Sequence, residues 1–338
     1  KLGEALRGKI VLFQHRMGEG QGYGKTVEVR SRGPAAASRA GAAGALVRSL
    51  STLPLRAPHT GQTSFAPGER EIPAAALSSE DADLLHRLLG RGPVTVKLTL
   101  GCGPGDPPQA DSADVVAEIR GREKPDEVVL LAAHLDSWDL GTGAVDDGAG
   151  VAMVMDAMRL VAGLSRPPRR TLRAVLTMNE ENGLDGALAY AERHRDELPR
   201  HVAAIEADSG AGRPTGVRVT AGPGGLAAVE GLVRPLAALG AARVSEGGGG
   251  ADVSPLHYQR VPVLSVEQDT SRYFDWHHSA ADTLDKVSRR DLAEATAALA
   301  FLAWALAEAP EPLARPEPPA KPPWWKPAPG GAPARSSH

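Results

Sequence analysis

From residue 111 to 309 the chain alternates short, almost wholly apolar runs with longer amphipathic stretches. That alternation leaves few folds open to it. Runs at 115–119, 128–133, 172–178, 202–207, 217–220 and 261–266 have strand length, whereas 148–162, 183–195, 224–239 and 289–308 have helical spacing. Strands that are apolar on both faces must be covered on both. The expectation is an α/β fold, a mostly parallel sheet with helices on both faces.

Residues 1–110 read as a smaller α+β unit. Lys9 to Phe13 (KIVLF) predicts a strand, followed by a Gly-rich loop and an Ala-rich helix near 35–45. A short strand from Ala45 to Arg48, a polar loop, a helix near 79–90 and an alternating strand from Val94 to Leu100 complete it. The turn-forming stretch 101–109 (GCGPGDPPQ) marks the boundary. Residues 310–338 are Pro-rich and predict an extended or disordered tail. The chain opens on Lys1 inside what reads as an element, with no charged-then-apolar export signal before it. It therefore reads as a fragment or processed form, and the missing signal carries no information about compartment.

Composition narrows the function classes. With 338 residues there is room for about two domains. Lys and Arg number 38 against 41 Asp and Glu, and a net charge of −3 argues against nucleic acid as the main partner. Cys102 is the sole cysteine, which excludes an intramolecular disulfide and Cys-rich zinc sites. The longest apolar runs fall short of the ~20 residues a membrane span needs. Two apparent motifs fail on spacing. Gly24-Lys25-Thr26 resembles the end of a phosphate-binding loop, but Glu19 stands where that loop needs glycine. Gly247 to Gly250 lacks the third glycine of a dinucleotide fingerprint and predicts a loop. Neither G-x-S-x-G nor H-E-x-x-H occurs in the sequence.

The chemistry lies at the predicted strand ends. His134 and Asp136 close one strand, Asp146 and Asp147 precede a helix, Glu180 and Glu181 follow another strand, Asp208 ends a third, and His278 lies in a later loop. Taken singly, these residues have ordinary explanations. An Asp-Asp before a helix caps it, a Glu-Glu faces the positive end of a helix dipole, and a strand-end histidine is structural. Their joint occurrence on one expected edge of a parallel sheet is what those explanations leave out. Histidines and carboxylates without thiolates are the ligand set of zinc or another borderline divalent ion. Doubled carboxylates repel unless cations neutralise them, so two pairs point to two metals.

The segments HLDSWDLGTGAVDDGAG, TMNEENG, IEADSG and HHSAADT, in that order, resemble the metal-site motifs of the M28 family of di-zinc peptidases. The resemblance is to its carboxypeptidase Q (plasma glutamate carboxypeptidase-like) branch and runs from about Gly8 to Glu308. It implies a protease-associated-like inserted domain, N-terminally incomplete, over 1–110, a zinc peptidase catalytic domain over 111–309 and a tail over 310–338. It further implies two Zn2+ ions held by His134, Asp146, Glu181, Asp208 and His278, with Asp146 bridging. His134 and Asp208 would serve one ion, Glu181 and His278 the other. Asp136 would orient the His134 imidazole, and the Asp146–Asp147 peptide is often cis in such proteins.

Glu180 would act as general base on a zinc-bridged water, and His277 would stand where some relatives place an oxyanion-facing tyrosine. Asp252, Tyr258 and Trp276 lie near the expected cleft in sequence order; Asp252 would receive a substrate amino group or cap the helix DVSPLHYQ. The function implied is a metal-dependent exopeptidase acting on dipeptides or short peptides. The alternatives are an aminopeptidase on longer peptides and, in another class, a non-catalytic receptor or scaffold. An extracytoplasmic location is implied as well, and a homodimer is among the assemblies the resemblance allows.

Overall fold

A computed structural model gives the architecture of residues 2–17, 22–102 and 110–320. The chain divides into two units: one comprises Lys1–Asp111, Trp138–Thr142 and Phe274–Thr283, the other Ser112–Ser137, Gly143–Tyr273 and Leu284–His338. Two short segments that lie late in the sequence thus belong to the first unit.

The first unit carries a three-stranded parallel sheet of β1 (Ile10–Phe13), β2 (Gly44–Arg48) and β3 (Ala74–Leu77), in that order. Its long helix spans Tyr23–Arg39, well ahead of the expected 35–45. Glycines at 22 and 24 lower helix propensity, but packing of Ala35 and Ala37 in the core overrides it. Gly24-Lys25-Thr26 forms the first turn of this helix, with the Thr26 hydroxyl donating to Tyr23 O at 3.0 Å. A second helix, Ser79–Leu89, starts at Ser78, whose hydroxyl accepts the Asp81 N–H. Val94 to Leu100 alternates in exposure as expected but is not a strand, because it pairs with none of the strands described. The boundary residues 103–109 and the tail residues 321–338 lie outside the described residues.

The second unit is built on β4 (Val115–Ile119), β5 (Lys124–His134), β6 (Arg170–Thr177), β7 (His201–Glu206), β8 (Pro214–Thr220), β9 (Val244–Glu246) and β10 (Val263–Gln268). Their order in the sheet is β4-β6-β5-β7-β10-β8-β9. The central four, β6, β5, β7 and β10, are mutually parallel; β4 and β8 run antiparallel to their neighbours β6 and β10. Side chains along β5 alternate between two cores. Val129, Leu131 and Ala133 pack with the helices Ala149–Ala162 and Arg289–Glu308. Leu130 and Ala132 pack with Tyr190, Val253 and Leu256 on the other face. Both faces of the sheet are therefore covered, as the doubly apolar strands require.

Two local differences have simple causes. The expected helix 224–239 ends at Leu232 and continues as a 3-10 turn, Arg234–Leu239, because Pro235 cannot donate a helical hydrogen bond. The segment after Glu308 is extended and anchored as far as it is described: Leu313 is buried, and Gly222 N–H donates to Ala314 O at 2.7 Å.

Candidate metal centre

Four parallel strands running the same way bring their carboxyl ends to one edge; the pairing of His134 with Thr177 puts the ends of β5 and β6 level, and that of Ala132 with Glu206 ends β7 two residues short of them. His134 is the last residue of β5, Glu180 and Glu181 follow β6, and Asp208 stands two residues beyond β7. Asp146 enters from the kinked turn Ala144–Gly148, with φ −127° and ψ 90°, and its peptide bond to Asp147 is cis.

The His134 ring is held at Nδ1. Nδ1–H donates to the main-chain oxygen of Asp136 at 2.9 Å, which leaves Nε2 facing Asp146 Oδ1 at 3.3 Å and Asp208 Oδ1 at 3.9 Å. An imidazole fixed by a carbonyl at one nitrogen and aimed at carboxylates with the other has the geometry of a metal ligand. Ligand atoms of His134, Asp146 and Asp208 lie within 4.8 Å of one another, and so do those of His134, Glu180 and Glu181. Asp136 meets the imidazole chiefly through its main chain, with its Oδ1 3.9 Å from Nδ1. Its carboxylate accepts the N–H groups of Glu180 and Glu181, at 3.0 and 3.2 Å, and so fixes the glutamate pair.

Asp147 behaves differently from its neighbour. Its Oδ1 accepts Gly150 N–H at 3.1 Å, and its Oδ2 accepts His134 N–H at 3.2 Å. This is the ordinary capping role, with a second bond that ties the turn to the end of β5. The doubled aspartates therefore do not count twice as metal ligands. A Cβ at residue 150 would overlap Ala207 O and the Asp147 carboxylate, so only glycine fits there.

The electrostatics describe a site short of positive charge. Burial, then the charge of Asp208, pushes the Glu180 carboxyl up to about 9. Burial and Asp146 push Asp208 up to about 7. For His134 burial acts downward, but the bond to Asp146 and the charges of Asp208, Asp147 and Asp146 override it and raise the imidazole to about 12. Asp208 Oδ1 is buried without a hydrogen bond. An orphaned carboxylate oxygen beside a directed imidazole nitrogen, with no thiolate, fits a zinc-like divalent ion.

Asp252 is buried and accepts the Thr177 hydroxyl at 2.6 Å. It does not cap the short helix Ser254–His257, which has no side-chain cap. The N–H of Val253 is taken instead by Glu206 Oε2 at 2.8 Å. Tyr258 follows that helix, half-buried. Sequence reasoning missed Tyr273, whose phenol is pushed well up by burial and by the charges of Asp146 and Asp208. Nothing near it in sequence marks it.

His277, His278 and Trp276 belong to the first unit. The rings of His277 and His278 stack with centroids 3.7 Å apart, and His59 lies 5.0 Å from His278. Tyr23 meets the His277 ring edge-on at 4.9 Å. His59 comes from the loop that sequence reading left as polar, so it too was missed. Burial holds its pKa well below the usual value, and the charges of His278 and Arg30 act the same way.

Comparison with known proteins gives the family. The sequence matches the model of Peptidase family M28 over residues 114–303, more than half of the chain. Carboxypeptidase Q of Mus musculus is 37% identical over 309 residues, which make up 91% of this chain and 65% of that protein. Carboxypeptidase Q of Homo sapiens is 34% identical over the same shares. The chain thus spans just under two thirds of the length of these relatives. The crystal structure of a Peptidase M28 precursor from Shewanella amazonensis SB2B is 39% identical, with a TM-score of 0.84 over 94% of this chain and 72% of that one. BSAP, a zinc aminopeptidase from Bacillus subtilis, shares the fold at a TM-score of 0.59 and 18% identity over the same shares. With that match over more than half its length, this chain belongs to peptidase family M28.

Proposed function

We propose that this protein is a metal-dependent exopeptidase that hydrolyses dipeptides or short peptides, with Glu180 as general base. The observation that carries the reading is the convergence of His134, Asp146 and Asp208 with Glu180 and Glu181 at the carboxyl edge of the sheet. His134 and Asp208 would hold one zinc ion, Glu181 and His278 a second, with Asp146 shared; His278 enters this set on the motif resemblance. When bound, the ions would polarise the scissile carbonyl and lower the pKa of the attacking water.

The protein's own part is to place and move a proton. Asp136 fixes the Glu180 and Glu181 amides, so the two carboxylates leave the chain at set positions. Burial and Asp208 push Glu180 up to about 9, and bound cations would act against that rise, leaving a carboxylate able to take a proton from water and return it to the leaving amine. His277 would offer a donor to the developing oxyanion. By the same resemblance the protein acts outside the cytoplasm. No helix among the described residues is long and apolar enough to cross a membrane.

Glu180→Gln tests the base assignment. It should retain zinc and lose roughly 10²–10⁴ in kcat, whereas Glu181→Gln should lose metal. An active Glu180→Gln enzyme overturns the assignment. Digestion of a peptide library with and without chelator, followed by a free dipeptide against its N-acetylated and C-amidated forms, reads metal dependence and terminal preference. Cleavage of long peptides from the amino end would replace the dipeptidase reading with an aminopeptidase.

A further inference from the structure

We infer that the loop His59–Thr60 and the helix residue Arg30, all in the first unit, position His278 as a metal ligand by selecting its ring tautomer. The inference rests on the proposed function, in which His278 is a ligand. What it adds is the device that presents the ring.

Thr60 grips His278 at two points. Its N–H donates to His278 O at 2.7 Å, and its carbonyl oxygen lies 3.1 Å from His278 Nδ1. A carbonyl oxygen can only accept, so a bond at Nδ1 requires the proton on that nitrogen. That leaves the lone pair on Nε2, the nitrogen a metal would take. Arg30 Nη1 also stands 3.3 Å from His278 Nδ1, and a guanidinium can only donate. The two contacts ask for opposite tautomers, and the remaining geometry decides between them. Nη1 carries two hydrogens and has nearer partners in His59 Nε2 at 2.8 Å and the Tyr23 hydroxyl at 3.0 Å. Thr60 O, at 3.3 Å, is then only a longer, shared acceptor for Nη1, and the His278 Nδ1–H at 3.1 Å is the nearer donor to that oxygen.

The backbone of His278 lies at φ +56°, a left-handed conformation that a non-glycine residue holds only when its surroundings impose it. The loop is in turn fixed to the sheet of its unit. His59 N–H donates to Ser49 Oγ at 2.8 Å, and Ser49 donates to Leu77 O at 2.6 Å. The segment carrying His278 is tied down again where the Thr52 hydroxyl donates to Asp275 Oδ1 at 2.6 Å. Arg30 acts through His59 and Thr60 and is a positioning residue. His59, Thr60 and Arg30 are then the scaffold of His278 within their own unit.

The test uses zinc stoichiometry and affinity, imidazole 15N NMR and thermal unfolding on the full chain. His278→Ala checks the underlying reading: if it retains both zinc ions at wild-type affinity, His278 is not a ligand and the proposed function loses that residue. If His278→Ala loses one ion, Arg30→Met should weaken the same ion by roughly 10–100-fold, and Arg30→Lys should recover part of the loss. In metal-free wild-type protein, the His278 signals, assigned by their loss in His278→Ala, should show the proton on Nδ1. Arg30→Met frees the His59–Thr60 loop that presents the Thr60 carbonyl, so that preference should weaken there even though the opposing guanidinium donor is gone. A proton on Nε2 in the wild type overturns the inference. So does an Arg30→Met protein that unfolds at a lower temperature yet keeps wild-type zinc affinity, since that is what a purely structural arginine would do.

Discussion

At the scale of single residues, the candidate metal centre rests on groups outside the proposed ligand set. Asp147 joins the helix start at Gly150 to the strand end at His134, each carboxylate oxygen accepting one of those two amides. Gly150 makes this possible, because any side chain there would meet the main chain at Ala207 and the Asp147 carboxylate. Gly150→Ala should therefore destabilise the fold by about 1–3 kcal/mol through overpacking and weaken zinc binding as the turn carrying Asp146 shifts. Chemical denaturation and zinc titration would measure the two effects; a stability within about 0.5 kcal/mol of wild type would show that the contact relaxes without cost. From the sequence, Asp146 and Asp147 are equivalent members of a doubled pair. Only the fold of the turn separates them, one facing His134 and the other capping.

At the scale of elements, the extended segment after the last helix shows how composition and contact differ. Its prolines were legible as a chain that cannot form a helix or a central strand. They did not show that Arg315 Nη2 would reach the carbonyl oxygens of Leu198, Pro199 and His201 at 3.0, 2.6 and 2.9 Å. Those oxygens lie at the start of β7 and just before it, at the opposite end of that strand from Asp208. Arg315→Ala should cost about 1–3 kcal/mol, the price of half-buried carbonyls losing a charged donor, and should leave kcat unchanged. A fall in kcat without loss of stability would contradict this separation of anchor from site. The helix Tyr23–Arg39 carries the same lesson. Its alanines marked the helix, but its start depends on what it packs against, and propensity does not report that.

At the scale of the whole molecule, the carboxylate cluster makes stability depend on pH and on metal together. Glu180, Asp208 and Asp252 have folded-state values of about 9, 7 and 6, against ordinary values of 4.5, 3.8 and 3.8. Acids whose pKa rises on folding favour the folded state below their unfolded values, and this contribution is lost as pH climbs through the folded ones. His134, raised from 6.5 to about 12, acts in the same direction. Metal-free protein should therefore lose stability from about pH 4 toward pH 9, and zinc, which replaces the protons, should offset the loss. Thermal unfolding at pH 5, 7 and 9, with zinc and with chelator, should show a gap that widens with pH. Parallel curves would refute the assignment of these groups to one cation-dependent cluster. His201 sets the acid side: its folded value of about 4 lies below 6.5, so its contribution is present above pH 6.5 and lost as pH falls toward 4.

The sequence by itself determined the sheet and the edge that carries the candidate site, because doubly apolar strands have one way to be buried and parallel strands share one carboxyl end. His134, Asp146, Glu180, Glu181 and Asp208 were all legible there as acidic and histidine residues at strand ends. Tertiary structure alone decided which carboxylate of a pair faces the cluster, that Asp136 steadies the glutamates through their amides, and that His59 and Arg30 meet His278. Periodicity records which face of an element is buried. It holds no record of hydrogen bonds between residues such as Thr60 and His278, 218 positions apart, because only the folded chain brings them within bonding distance.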